Sequence, residues 1–257
     1  MPSPNEITCS QLNRLVGTEA APAVIDLRID EDFQSDPRLI PTAFRHPFTT
    51  IADTVPRLVD KQVVVYYHKG KKISHGAMAL LRSHGVMAEA LAGGHVAWAD
   101  KQLPLIPAEA CPDSASSGQG QGSVWVTRHR PKIDRIACPW LIRRFVDPQA
   151  RFLFVPAASV VEVAEKYSAT PFDVVDVFWS HRGDQCTFDT MLEEFSLLTE
   201  PLLRLATIIR GADTDRLDLA PQSAGLLAAS LGLSRIYKDD LQPVSYTHLT
   251  LPTNREV

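Results

Sequence analysis

The stretch Tyr66-Tyr67-His68-Lys69-Gly70-Lys71-Lys72-Ile73-Ser74 decides the fold of the first half of the chain. It follows an apolar, β-branched run (Val63, Val64, Val65) and opens a helical spacing (Ile73, Ala77, Leu80, Leu81). A strand leading through a short loop into a helix N-terminus gathers backbone N–H groups around one point, which makes a ready anion site. Lys69, Lys71 and Lys72 add cationic charge to a helix end that already favours anions by about 0.3–1 kcal/mol. Together with Tyr67, His68 and Gly70 they form a candidate cradle for a small tetrahedral oxyanion such as sulfate, phosphate or chromate. Tyr67, with an ordinary pKa of about 10, is a poor nucleophile at neutral pH. The plainer alternative is a solvated basic loop without a ligand.

Outward from this loop, Ala23 to Leu27 and Gln62 to Tyr66 read as buried strands, and Met87 to Leu91 as a further one. The helical spacing from Ile73 to Ser83 stops before Gly85, a suitable C′ residue. Strand–helix–strand alternation predicts parallel pairing in an α/β domain.

The chain has 257 residues, 45% hydrophobic and 22% charged, enough for one large or two modest globular domains. A net charge of −4 argues against broad, non-specific nucleic-acid binding. Cys9, Cys111, Cys138 and Cys186 form no CxxC pair, so reduced thiols in a cytoplasmic protein are expected rather than a disulfide framework. No apolar run reaches the ~18–20 residues that span a bilayer, and the first residues lack the pattern of a signal peptide, so no membrane association is expected.

Four segments follow from composition. Residues 1–106 form the α/β domain, and 107–123, rich in Ser, Gly and Gln, a flexible linker. Residues 124–242 form a separate, α-rich α+β domain that ends short of its natural length. Residues 243–257 resemble read-through of a sequencing-library adapter and are set aside, the alternative being a native disordered tail.

In the second domain Phe152 to Val155 and Val174 to Phe178 read as strands, and Ile133 to Phe145, Val160 to Tyr167 and Ser223 to Leu231 as helices, the last stopped by Gly232. Leu192 to Ile209 is divided by Pro201, which suits the first turn of a second helix. Pro139 is expected at a first helical position, which makes Cys138 the N-cap and, with Arg135 and Arg143 nearby, favours its thiolate. A buried structural cysteine is the alternative. His181, Cys186 and Asp189 are metal-competent side chains that a turn would bring together. Gly211 is expected to end a helix, leaving Asp213 either to cap the next turn or to offer a carboxylate.

Val24-Ile25-Asp26-Leu27-Arg28, Asp32-Phe33, Ile40-Pro41-Thr42-Ala43-Phe44 and Leu91-Ala92-Gly93-Gly94-His95-Val96-Ala97-Trp98 resemble the motifs of a rhodanese domain. In that family the loop after the central strand begins with the nucleophilic cysteine; here Tyr67 stands in its place, so the resemblance implies the fold without standard sulfur transfer. Asp134-Arg135-Ile136-Ala137-Cys138-Pro139-Trp140, the run from His181 to Asp189, and Arg210-Gly211-Ala212-Asp213-Thr214 resemble the C-terminal domain of the chromate-resistance (ChrB-type) family. That resemblance implies a link to chromate resistance, and in some members to chromate-responsive regulation.

The leading expectation is a chromate-resistance accessory or sensor protein. Asp134, Cys138, His181, Cys186, Asp189 and Asp213 would converge in one pocket for a divalent transition metal such as zinc, or for chromate or another small oxyanion. The alternatives are a sulfurtransferase or thiol-dependent reductase using Cys138 or Cys186 as its catalytic residue, and a DNA-binding regulator using the basic residues from Arg128 to Arg144. The oligomeric state stays open.

Overall fold

The computed structural model describes residues 5–112, 122–236 and 240; most of the expected linker and all of the expected adapter-derived tail lie outside the described residues. The chain divides into two compact units, one within Met1–Gln121 with Arg144–Val146, the other within Gly122–Arg143 and Asp147–Val257.

The first unit carries β1 (Glu6–Ile7), α1 (Cys9–Leu15), β2 (Ala23–Asp26), α2 (Asp30–Ser35), β3 (Arg38–Leu39), β4 (Phe44–Arg45), α3 (Val55–Leu58), β5 (Gln62–Tyr66), α4 (Lys72–Ser83), β6 (Met87–Leu91), α5 (Gly94–Asp100) and β7 (Ile106–Pro107). Its main sheet has the order β1-β6-β5-β2-β4 and every pair is parallel, as the strand–helix alternation predicts. β5 is central, with Val65 between Ile25 and Ala90. Val63, Val64 and Val65 are all buried, which is why this strand reads as an unbroken apolar run rather than an alternating one. Ala77, Met78 and Leu81 of α4 pack on it with Ile25, Leu27 and Leu58. At the end of β2, Asp26 and Arg28 form a fully buried ion pair at 2.7 Å. The Arg28 guanidinium also donates to the carbonyls of Asp36 (2.8 Å) and Arg38 (2.7 Å), which fastens the segment after α2 to the sheet.

The loop from Tyr67 to Lys71 is held by the start of α5, where the His95 and Val96 N–H groups donate to the Tyr67 and His68 carbonyls, both at 3.0 Å. The approach leaves no room for a side chain. A Cβ on Gly94, whose φ is +61°, would lie 2.1 Å from the Tyr67 carbonyl oxygen and 2.4 Å from the Gly70 nitrogen.

The second unit carries β8 (Val124–Arg128), α6 (Asp134–Leu141), β9 (Arg151–Val155), α7 (Val160–Tyr167), β10 (Thr170–Pro171), α8 (Thr187–Glu194), α9 (Glu200–Asp213) and α10 (Ser223–Ile236). Its small sheet, in the order β10-β8-β9, is parallel throughout, with α6 and α7 as the crossovers. Trp125 and Phe172 meet edge to face, and Trp179 stacks on Phe195 with centroids 4.8 Å apart.

Several local expectations are corrected. Val174 to Phe178 is an exposed loop, not a strand, with Val175 83% and Phe178 60% exposed. Asp173 and Asp176 both take positive φ there, which breaks the extended backbone. Pro139 lies inside α6 rather than at its first position, and the helix widens into a π-type turn over Ile142–Val146. Gly211 lies within α9 and Gly232 within α10. Gly211 is needed for packing, since a Cβ would meet the Ser223 Oγ at 2.4 Å. Pro201 does fall in the first turn of α9.

Two predictions follow from the first unit. Gly94→Ala should lower its stability by about 2–5 kcal/mol, combining left-handed strain with backbone overlap. Gly85→Ala, with φ +83° and open space around the site, should cost only about 1–2 kcal/mol; urea unfolding of both variants checks the ranking. Burial also pulls the His95 pKa below its ordinary value, and the Arg38 and His95 hydrogen bonds hold Asp36 well below the carboxylate range. Both groups then bind protons less readily folded than unfolded. Their stabilisation is present above about pH 6.5 for His95 and about pH 4 for Asp36, and is lost as pH falls through the folded values. Calorimetry of the parent and His95→Gln from pH 7.5 to 5.5 should show the parent losing more melting temperature, relative to the variant, as pH falls.

Candidate metal centre

Asp134 is the first residue of α6 and is fully buried. The preceding Ile133 has φ +29°, a conformation a β-branched residue adopts only at a cost of about 1–3 kcal/mol. That backbone directs the helix start inward, and the Ile133 N–H is met by the Ser230 Oγ at 3.2 Å. The Thr187 N–H donates to Asp134 Oδ2 at 2.5 Å. The other oxygen, Oδ1, is buried with no hydrogen-bond partner among the described residues.

Asp173 follows the buried Phe172, and its N–H donates to the Trp179 carbonyl at 2.9 Å, closing the base of the exposed loop. Its Oδ1 accepts from Thr187 Oγ1 at 3.1 Å. Its Oδ2 faces Arg135 Nε at 3.0 Å and Arg128 Nη2 at 3.3 Å. Asp213 ends α9 and reaches the same point. His181 Nε2 lies 3.2 Å from Asp213 Oδ2 and 3.5 Å from both Asp134 Oδ2 and Asp173 Oδ1. Candidate ligand atoms of Asp134, Asp173 and His181 all fall within 4.8 Å of one another.

The electrostatics reflect this crowding. Burial, then the charges of Asp213 and Asp173, push the Asp134 carboxyl well above the usual range. The nearby Cys186 thiol tempers this without reaching Oδ1 in hydrogen-bond geometry. Hydrogen bonds to Asp173 and Asp213 push His181 up to about 10. Burial raises Asp173, but His181, Arg135 and Arg128 outweigh it and hold that carboxyl below its ordinary value.

Of the expected pocket residues, Asp134, His181 and Asp213 converge, and Asp173 joins them. Cys138 and Cys186 lie near enough to feel the Asp134 charge, but neither is among the three residues whose ligand atoms fall within 4.8 Å of one another, and Asp189 caps a helix. Cys138 is in the interior of α6, not at its N-cap, and burial and then Asp134 push its thiol up, against the expected thiolate. Cys186 is the N-cap of α8; its sulfur accepts the Asp189 N–H, and Asp189 accepts the Cys186 N–H at 3.0 Å. Burial and then Asp134 raise the Cys186 thiol as well. Two buried, protonated thiols do not suit nucleophilic chemistry. Asp189 is further held by Arg210 at 2.8 Å.

In the first unit the Tyr67 hydroxyl donates to Asp32 Oδ2 at 2.6 Å, and that bond pushes its pKa up to about 12. His68 Nδ1 lies 4.0 Å from the same carboxylate. Lys69, Lys71 and Lys72 are exposed and Gly70 packs against the Gly93–Gly94 backbone. A bound oxyanion at Tyr67 and His68 would therefore meet the Asp32 carboxylate. Of the second unit's basic residues between Arg128 and Arg143, Arg128 and Arg135 turn to Asp173, and Arg143 donates to the Ala150 carbonyl at 3.0 Å.

These observations define a two-unit chain: an N-terminal part built on a five-stranded parallel sheet and a helix-rich C-terminal part with a carboxylate–histidine cluster. Residues 125–251 match the family model described as ChrB, C-terminal domain, and the C-terminal part of the chain belongs to that domain family. The chain is 35% identical over 147 residues to Protein ChrB of Cupriavidus metallidurans, a match covering 53% of this chain and 44% of that protein. The chain thus spans less than half the length of this curated relative. Solved structures similar to the N-terminal part include a rhodanese-like domain protein from Staphylococcus aureus, 27% identical, covering 38% of this chain and 95% of that one at a TM-score of 0.33. Another is a rhodanese-related protein from Thermoplasma volcanium, 21% identical, covering 40% and 97% at 0.32. Membership of the C-terminal part supports the association with chromate resistance expected from its motifs. Among the described residues no helix is long and apolar enough to cross a membrane.

Asp189→Ala should lower stability by about 1–2 kcal/mol, through loss of the α8 cap and of the Arg210 pair. Urea denaturation measures this, and an unchanged midpoint would refute the capping role.

Proposed function

We propose that this chain is a cytosolic chromate-resistance accessory or sensor protein whose C-terminal unit binds a divalent cation through Asp134, Asp173, His181 and Asp213. The observation that carries this reading is the Asp134 carboxyl, fully buried beside two further carboxylates and a histidine, with one oxygen that has no hydrogen-bond partner among the described residues. Buried polar atoms are nearly always satisfied, so an orphan oxygen in such a cluster is well suited to an ion. The donor set is three carboxylates and one imidazole, without thiolate. It suits Mn²⁺ or Mg²⁺, and also Zn²⁺ with His181 neutral, better than a soft, thiol-seeking metal. The cation would hold α6, α9 and the loop before His181 together, so occupancy would be felt as stability in this unit.

Elemental analysis and Mn²⁺ titration of the full chain should find about one equivalent bound. Asp134→Asn and His181→Ala should each weaken binding by at least about tenfold, whereas the double variant Cys138→Ala, Cys186→Ala should retain it. Loss of uptake in the thiol variant, with retention in Asp134→Asn, would overturn the assignment.

A further inference from the structure

The end of the central strand of the first unit gathers a separate set of ligand-type side chains. Tyr67 follows β5 directly, and in open parallel sheets ligands bind beyond the carboxyl ends of the strands. Its hydroxyl donates to Asp32 Oδ2 at 2.6 Å. His68 Nδ1 lies 4.0 Å from the other oxygen of the same carboxylate, Asp32 Oδ1. That nitrogen is buried and makes no hydrogen bond among the described residues. A phenol, a carboxylate and an imidazole nitrogen thus meet at Asp32. The His68 and Asp32 side chains are 26% and 27% exposed, so the group is open on one side. Its backbone is fixed. The Tyr67 and His68 carbonyls accept from the His95 and Val96 N–H groups, and the segment after α2, the helix that carries Asp32, is gripped by Arg28.

We propose that Tyr67, Asp32 and His68 form a binding site for a hard trivalent metal ion such as Fe³⁺, ligated by the phenolate, the carboxylate and the imidazole Nδ1. The site lies in the first unit and does not depend on the metal centre of the second. The local field favours a cation, because the charges that act on the Tyr67 hydroxyl are those of Asp32 and Glu31, both negative. Lys69, Lys71 and Lys72 are exposed, where salt screens them. The donor set is two oxygens and one nitrogen, without sulfur, which suits a hard ion. The choice of a trivalent ion follows from the proton on Tyr67. Asp32 holds that proton in place in the bare protein, so a ligating ion must displace it. A trivalent ion acidifies a bound oxygen more strongly than a dication does. Ligation releases the one phenol proton to water, and the phenolate and carboxylate then offset two of the ion's three charges. The remaining coordination positions face solvent and take water. A water molecule bridging His68 and Asp32 would also span the 4.0 Å gap, and the experiment has to tell the two apart.

The test adds ferric nitrilotriacetate to the full chain and follows visible absorption. A phenolate bound to Fe³⁺ gives a charge-transfer band in the visible, which carboxylate and imidazole donors alone do not. The cluster of Asp134, Asp173, His181 and Asp213 contains no tyrosine, so iron bound there gives no such band and the two sites are read separately. The expected result is a visible band that saturates at about one equivalent of iron. Tyr67→Phe, which removes only the hydroxyl, should abolish the band. Asp32→Asn and His68→Ala should each weaken the binding that the band reports by at least about tenfold. These two variants keep the test decisive if Tyr67→Phe does not fold. No visible band, a band that persists in Tyr67→Phe, or a titration unchanged in both Asp32→Asn and His68→Ala would overturn the site.

Discussion

The buried carboxylate of Asp134 is the constraint on which the second unit is organised. It starts α6, accepts the first free N–H of α8 through Thr187, and lies against Asp213 at the end of α9. A helix start, a second helix start and a helix end are thereby brought to one point. Helix N-termini welcome negative charge, so two of these three elements stabilise the carboxylate they surround. Asp213 does the opposite: it brings a second negative charge to a helix C-terminus, the less favourable end. The His181 imidazole, 3.2 Å from Asp213 and with its pKa pushed up to about 10, offsets that charge.

The first unit depends on a different buried charge. Asp26 and Arg28 neutralise each other inside the fold, and Arg28 then satisfies two carbonyls of the segment after α2. Such a pair is weak evidence for net stability, because desolvation offsets much of the attraction. Its effect is geometric: it fixes where α2 lies, and α2 presents Asp32 to the loop after β5. In that loop the Tyr67 hydroxyl donates to the Asp32 carboxylate at 2.6 Å. The cationic lysines remain on the outside, in solvent.

How much of this was legible in the sequence divides along physical lines. The central strand was readable because Val63 to Val65 are buried on both faces, and α4 because its apolar spacing and Gly85 agree. α7 was readable from Val160 to Tyr167 for the same reason. Helix interruptions were less readable. Pro139 and Gly211 are residues that usually end helices, yet here tertiary packing overrides local preference: α6 tolerates a missing N–H, and α9 needs a bare Cα beside Ser223. Three of the converging side chains, Asp134, His181 and Asp213, stood in recognisable motifs. Asp173 was missed because it stands immediately before Val174 to Phe178, a stretch that reads as a strand, and nothing local shows that Asp173 and Asp176 take positive φ. A lone carboxylate between Phe172 and Val174 was the available signal.

The cysteines show why residue type alone misassigns a site. Cys138 and Cys186 stand in the same motifs as Asp134 and His181, and each is a competent metal ligand as a thiolate. Burial is what removes that chemistry. Within the low-dielectric interior, beside carboxylates, a thiolate would add another negative charge to a place already short of positive charge, so both thiols keep their protons. They then act as small apolar side chains that help exclude water from the back of the cluster. Asp134 Oδ1, buried beside them, has no hydrogen-bond partner among the described residues. The residues that suggest a thiolate site from sequence are thus buried and protonated, and the charge of the cluster comes from its carboxylates.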